Sequence, residues 1–286
     1  MMESQTFDFQ GKLRKFWVGL PANFDPHRLE RYGAITALHG GGGTGGLLDF
    51  AITNNTLSAA AHAQGMILCC PEGVNNHWND GRPYTAGLTE NADDVTFIDL
   101  VMDKLVARYH ADPQKLYVAG ISNGAQMTYR LAQDLSDRVS AFACCASGLT
   151  TDLAFGKMRQ PASMLLCQGT ADPLMPYGGG PLSLGGVSHG EVLSADATAD
   201  HYAAQIGAEL SDAIPYPNTA QDGCLAAKHA YTVGKDSSEL VRIVVTGGGH
   251  TWPGGRIYQS PVPIGKLCMD FSFSQEAVAF FKRHSR

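Results

Sequence analysis

The sequence has no run of apolar residues approaching the roughly 18 needed to cross a bilayer, so a membrane-spanning helix is not expected. It also has no basic excess. The formal net charge is -6 at pH 7, which leaves out the positive footprint that nucleic acid or an anionic membrane surface would require. No C-x-x-C pair is present and the seven cysteines are an odd number, so neither a zinc site nor a redox motif is indicated. Cys69, Cys70, Cys144, Cys145 and Cys167 lie in short apolar runs and read as small buried hydrophobes. As strand neighbours, Cys69 and Cys70 should face opposite sides of a sheet. A disulfide between Cys224 and Cys268 stays open. The N-terminal MMESQTFDFQGK lacks a basic stretch leading into an apolar one, so an exported form is expected to have lost its leader, and the location stays open.

What is present is an ordinary globular composition, 44% hydrophobic and 17% charged over 286 residues, enough to bury a sizeable core. Short apolar runs alternate with amphipathic stretches, the pattern of a mostly parallel sheet flanked by helices. The expected strands are Lys15–Leu20, Ala34–Leu38, Met66–Cys70, Leu116–Ala119, Phe142–Ala146, Ser163–Gln168 and Val241–Thr246. Helices are expected over Asn91–Tyr109 (with Asn91 as N-cap), Gly124–Leu135, Ala197–Ala208 and Gln275–Arg283, from apolar residues at three- and four-residue steps. With no repeat and no linker, a single domain over residues 1–286 is the simpler reading. The least regular stretches are Gly178–Gly190 and Ile214–Gln221.

The strongest local signal is Gly120-Ile121-Ser122-Asn123-Gly124, a Gly-x-Ser-x-Gly between an expected strand and an expected helix. A serine on so tight a turn projects its hydroxyl clear of the sheet, and the flanking glycines avoid collision with crossing backbone. Ser122 is the candidate nucleophile, and a serine hydroxyl needs a base to take its proton. Of ten histidines, His250 is placed for that role, on a glycine-rich loop just after the last expected strand. The carboxylate that would orient it should follow an intervening strand, and Asp172 in SMLLCQGTADPLMP does. Asp152 is the competitor; Asp196 and Asp200 look like the solvated start of a helix. The chain order Ser122, Asp172, His250 is that of an α/β-hydrolase fold.

Acyl transfer builds negative charge on the carbonyl oxygen, which backbone N–H groups must already face. One should belong to Asn123. The other should come from the Gly40–Gly43 loop, with Gly41 favoured and Gly40 or Gly42 as alternatives; a phosphate-cradling loop would need a following Gly-Lys-Ser/Thr. His39 reads as a brace for that loop. Trp78, Trp252 and Tyr177 are candidate walls for the substrate, while Asp80 and Arg82 read as structural. Only 50 positions separate Ser122 from Asp172, and a helix and two strands must fit there, so no large lid domain is expected. Any cover would come from Gly178–Gly190 or Ile214–Gln221.

Together HGGGGTGG, HWNDGRPY (His77–Tyr84), GISNGAQM, GTADPLMPY and GGGHTWPGG resemble the polyhydroxybutyrate depolymerase-like esterases, α/β-hydrolases that also include many feruloyl and acetyl-xylan esterases. The resemblance runs from about Lys15 to Phe281. It implies the triad Ser122, Asp172 and His250, an ester substrate, no metal and no cofactor. Many members are exported, and no leader is visible here; nor is there a separate domain for attaching to solid polymer. The expected enzyme, a monomer or homodimer, is a carboxylic-ester hydrolase for feruloyl, aryl or short-acyl esters, free or polymer-attached. Polyhydroxyalkanoate or other polyester, or its oligomers, is the alternative substrate. A peptidase, or a non-catalytic binder of small molecules, is a more distant reading.

Overall fold

The computed structural model describes residues 2–154, 156–184 and 187–286. Gly185 and Gly186, within the irregular stretch named above, lie outside them. In chain order the strands are β1 (Glu3–Phe9), β2 (Lys12–Gly19), β3 (Tyr32–Leu38), β4 (Ile67–Pro71), β5 (Ala111–Ile121), β6 (Ala141–Cys145), β7 (Ser163–Gly169), β8 (Gly180–Leu184), β9 (Val187–Val192), β10 (Leu210–Pro215), β11 (Leu225–Tyr231) and β12 (Leu240–Thr246). The helices are α1 (Gly45–Leu47), α2 (Thr56–Ala63), α3 (Pro83–Leu88), α4 (Asp94–Arg108), α5 (Asn123–Asp134), α6 (Ala195–Ile206) and α7 (Phe273–Lys282).

Ten strands form one sheet in the order β1-β2-β4-β3-β5-β6-β7-β12-β11-β10. From β4 to β12 every neighbouring pair is parallel, and antiparallel strands extend both edges. The parallel strands β3, β6 and β7 are buried at every residue, as strands covered on both faces must be. Alternate side chains feed two cores. Val118, Phe142 and Met164 join α4, α5 and α6 residues such as Phe97, Leu131 and Tyr202 on one face. Tyr117, Ala143 and Leu165 join α2 and α7 residues such as Leu57 and Phe280 on the other. Cys69 and Cys70 divide between the two cores, as do Cys144 and Cys145, so the expected opposite facing holds. All seven cysteines are free, Cys224 and Cys268 included.

The seven expected strands and four expected helices are all present, with ends shifted by a few residues. One cap differs. Asn91 has φ +56° and lies ahead of the helix, whereas Asp93 accepts the Thr96 N–H at 3.1 Å and caps α4. The edge strands β1 and β10 were not expected, because they are mostly exposed and carry no apolar run. Both stretches expected to be irregular hold strand: β8 and most of β9 lie within Gly178–Gly190 and pair as a hairpin, and Ile214 and Pro215 end β10.

Two backbone approaches place the segments that follow β3 and β5. A Cβ on Gly120 would lie 2.2 Å from the Gly124 carbonyl oxygen, and one on Gly124 would lie 2.3 Å from that of Leu38. Only glycine lets β5 turn into α5 against the end of β3. The loop after β3 is then held by His39. Its Nδ1 lies 2.8 Å from the Gly40 carbonyl oxygen and its Nε2 accepts the Gly73 N–H at 3.0 Å. That arrangement requires the neutral ring protonated on Nδ1, and burial lowers the pKa of His39 from 6.5 to about 4.

Two outcomes follow. Gly124→Ala should leave little soluble folded protein, while Gly87→Ala, with open space around its new Cβ in α3, should be neutral or stabilising by about 0.5–1 kcal/mol in thermal or urea unfolding. For His39, the folded pKa is depressed, so its full contribution is present above pH 6.5. It is lost as pH falls towards about 4, because the unfolded chain takes up a proton that the folded chain resists. Urea unfolding at pH 7.5 and pH 4.5 should therefore show a pH-dependent loss smaller in His39→Gln than in the parent, by on the order of 2–3 kcal/mol.

Candidate active site

Ser122 stands between β5 and α5 with φ +57° and ψ -124°, a backbone that a non-glycine residue holds only under constraint. Its N–H donates to the Cys145 carbonyl at 3.0 Å, which fixes the turn to β6. The side chain lines a cavity of about 860 Å³ that His250 also lines. His250 follows β12 on the turn through Gly247, Gly248 and Gly249. Its own N–H donates to Ile264 O at 2.6 Å, and its carbonyl accepts the Tyr258 hydroxyl at 2.9 Å. Its Nδ1 lies 2.8 Å from Asp172 Oδ2, with both side chains buried. The other oxygen, Asp172 Oδ1, accepts the N–H groups of Leu174 and Met175, each at 2.8 Å. The carboxylate is thereby aimed at the ring, leaving Nε2 for the cavity side. Asp152, the competitor, is exposed on a turn and is not the carboxylate beside His250.

Gly40, Gly41 and Asn123 line the same cavity as Ser122. Of the glycine candidates, Gly42 donates its N–H to Asn76 O at 2.9 Å and is taken up within the loop. Gly41 sits against His77, whose ring is 3.2 Å from where a Cβ would be. Asn123 is the first residue of α5, where an N–H has no partner inside the helix.

Three expected wall residues are placed elsewhere. Trp78 is fully buried behind the loop, its indole N–H donating to His39 O at 2.9 Å. Trp252 is equally buried, donates to Ser274 Oγ at 2.9 Å and packs edge-on against Phe273 of α7. Each indole N–H in the interior needs an acceptor and finds one, and neither tryptophan lines the cavity. Tyr177 accepts from Arg242, which also pairs with Asp196, and it is not part of the cavity lining.

The walls come instead from residues that sequence reasoning passed over. On one flank Tyr84 stacks on His189 with ring centroids 3.9 Å apart, beside Leu182. Burial, followed by the charges of Arg82 and His77, lowers the pKa of His189. Leu47, Phe50 and Ile257 also line the cavity, exposed by 57%, 54% and 54% and open to solvent as well. Of the two stretches from which any cover was expected, Gly178–Gly190 contributes Leu182, Ser183 and His189 of the β8–β9 hairpin to the lining. Residues 256–262 line the cavity as well, whereas Ile214–Gln221 is not part of the lining. Tyr84 lay in a motif already noticed, but Phe50 and Ile257 carried no pattern. Asp222, Cys224 and Cys268 also cluster, with ligand-type atoms within 4.8 Å of one another. There Asp222 clamps two loops by accepting the N–H groups of Cys224 at 2.9 Å and Met269 at 2.6 Å.

No protein-family model matches the chain. It is 31% identical over 251 residues to the "Putative esterase NocK" of Nocardia uniformis subsp. tsuyamanensis, covering 85% of this chain and 72% of that protein. It is 27% identical over 172 residues to feruloyl esterase C of Emericella nidulans, covering 58% of each. The chain thus spans little more than half of that second relative. Among solved structures, the acetyl xylan esterase from Aspergillus awamori superposes with a TM-score of 0.57 at 17% identity, over 87% of this chain and 94% of that one. That likeness shows the fold, a mostly parallel sheet with helices on both faces. By this fold and by its relationship to the Nocardia protein, the chain belongs to the α/β-hydrolase esterase family.

Proposed function

We propose that the chain hydrolyses carboxylic esters in two steps, with Ser122 as nucleophile, His250 as base and then acid, and Asp172 as the group that orients His250. The observation that carries this reading is the 2.8 Å contact of His250 Nδ1 with Asp172 Oδ2 in the wall of the cavity that Ser122 enters. Ser122 Oγ attacks the carbonyl carbon while its proton passes to His250 Nε2. The imidazolium is stabilised by Asp172, whose second oxygen is already held by two backbone amides. The oxyanion forms between the N–H groups of Gly41 and Asn123. His250 then gives its proton to the leaving alcohol oxygen, and an acyl-Ser122 ester remains. Water attacks that ester with His250 again as base, which releases the acid and restores the serine. No step asks for a metal or cofactor, and residues 1–286 act as one catalytic unit.

The substrates are esters of hydroxycinnamic, other aryl or short acyl acids. The Tyr84–His189 stack offers a flat face beside the reacting centre, suited to an aromatic group. The relationship to a protein named feruloyl esterase C points the same way. One observation favours a second reading, an oligomer of a hydroxy acid or another polyester. The exposed rim of Leu47, Phe50 and Ile257 leaves an apolar ledge for chain units beyond the scissile bond.

Hydrolysis of p-nitrophenyl acetate, p-nitrophenyl octanoate, methyl ferulate and soluble 3-hydroxybutyrate oligomers tests both readings. Ser122→Ala should reduce kcat/KM on every substrate by about 10⁴-fold or more, and Asp172→Asn by about 10³- to 10⁴-fold. Survival of activity in Ser122→Ala would remove the nucleophile assignment. Tyr84→Ala should raise KM for methyl ferulate about three- to tenfold with little change for p-nitrophenyl acetate, given the worth of one aromatic contact. A uniform loss across the panel would instead mean that Tyr84 only supports the fold.

A further inference from the structure

The segment Asn76–Arg82, which overlaps the HWNDGRPY motif, touches both halves of the site and has no part in the two-step reaction. On one side the Asn76 carbonyl accepts the Gly42 N–H at 2.9 Å, the His77 ring packs on Gly41, and the Trp78 indole donates to His39 O at 2.9 Å. Gly73, just before it, donates to His39 Nε2 at 3.0 Å. On the other side the Trp78 N–H donates to Asn123 Oδ1 at 2.8 Å. The Asn123 Nδ2 donates to Trp78 O at 3.1 Å and to Asp80 Oδ2 at 2.6 Å. The amide of Asn123 thus has both its oxygen and its nitrogen engaged.

Asp80, fully buried, is itself held from several directions. It accepts from Arg82 Nε at 3.0 Å, from Arg82 Nη2 at 2.6 Å and from Thr85 Oγ1 at 2.7 Å. Arg82 also donates to Gln126 Oε1, one turn into α5 from Asn123, at 2.5 Å, and to the His189 carbonyl of β9 at 2.7 Å. One buried ion pair therefore joins the start of α5, the Asn76–Arg82 segment and the hairpin that walls the cleft.

We infer that Asp80 and the Asn123 side chain are positioning residues for the oxyanion hole: through Asn76–Arg82 they set the separation and aim of the Gly41 and Asn123 N–H donors. This rests on the oxyanion hole proposed above. The physical reason is that a donor pair is useful only if it is already aimed at the oxyanion before charge develops there. The Asn123 side chain fixes the rotation of the first residue of α5, and so the direction of its N–H. Gly41 lies in a glycine run with no side chain of its own to hold it, so it takes its position from neighbours. Both are tied to one segment, the glycine loop through the Gly42 N–H and the His77 ring and Asn123 through Trp78 and Asp80.

The test uses the full chain with Asn123→Ala and Asp80→Asn. Asn123→Ala keeps the backbone N–H and removes only its side-chain anchor. Its kcat on p-nitrophenyl acetate should fall about tenfold to hundredfold, part of what removing a donor outright costs, with KM changed less than about threefold. Affinity for a trifluoromethyl ketone, which forms a tetrahedral adduct with an oxyanion, should fall by the same factor, while binding of the product acid should not change. Asp80→Asn should follow the same pattern. If it fails to fold because Arg82 is left unpaired, Asn123→Ala decides alone. A lowered Tm with kcat and ketone affinity both within twofold of the parent would overturn the inference and leave the network purely structural. Ser122→Ala in the same assay keeps the two readings apart: activity surviving there removes the nucleophile, whereas the ratios in the Asn123 and Asp80 variants still judge the positioning role.

Discussion

The backbone of Gly124 lies so close to the end of β3 that a Cβ would come within 2.3 Å of the Leu38 carbonyl oxygen and 2.5 Å of that of His39. The rest of the site depends on this contact. It forces β5 into α5 within a few residues, and Ser122 is then left at φ +57°. Strain of that kind costs on the order of 1–3 kcal/mol and persists only where surrounding packing determines it. Here the packing is two cores, one on each face of a sheet whose strands β3, β6 and β7 are wholly buried and whose β5 is buried from Leu116 onward. The same contact brings the Gly40–Gly43 loop beside the serine, so the proposed nucleophile and the proposed oxyanion donors share one geometric origin.

The sequence made the central sheet legible because burial on both faces demands near-continuous apolar runs, and Ala34–Leu38, Phe142–Ala146 and Ser163–Gln168 are such runs. The antiparallel edges were hidden for the converse reason: β10 is exposed along its whole length. At the site, the proposed serine, carboxylate and histidine stood out in the sequence because each follows a strand end, in a fixed order along the chain. The walls could not. Rarity and a loop setting drew attention to Trp78 and Trp252, but whether a loop side chain turns inward depends on where its N–H finds an acceptor. His39 O and Ser274 Oγ, which accept those protons, are brought near only by the fold. Phe50 and Ile257 meet at the cleft from positions more than 200 residues apart, and no local pattern encodes that.

The polar interior around Asn76–Arg82 is harder to justify by stability alone. Burying Asp80 with Arg82, and Asp94 with Arg14 at 2.7 Å, removes four charges from water, and well-packed apolar residues often serve stability as well or better. The segment is nonetheless pinned again and again. Asn79 N–H donates to Asp94 Oδ2 at 2.8 Å, and Arg130 of α5 donates to Asn79 O at 2.6 Å. An irregular segment in the interior must satisfy every N–H and carbonyl it carries, and here the partners include β3's trailing loop, α4 and α5.

That requirement explains why a loop, with its cost in buried polar groups, stands where a helix would pack more simply. A helix consumes its own amides and carbonyls and has none to offer sideways along its length. The Asn76 carbonyl and the Trp78 N–H and carbonyl are free to bind Gly42 and Asn123 because Asn76–Arg82 is neither helix nor sheet strand. The charges that follow at Asp80 and Arg82 add to the bonds that hold this backbone in one conformation. They also extend it to the β8–β9 hairpin through His189. The hairpin that carries His189 of the aromatic stack is thereby fixed to the same frame as the proposed oxyanion donors. A substrate ring resting on Tyr84 and His189 would be registered against the reacting carbonyl without a closing lid.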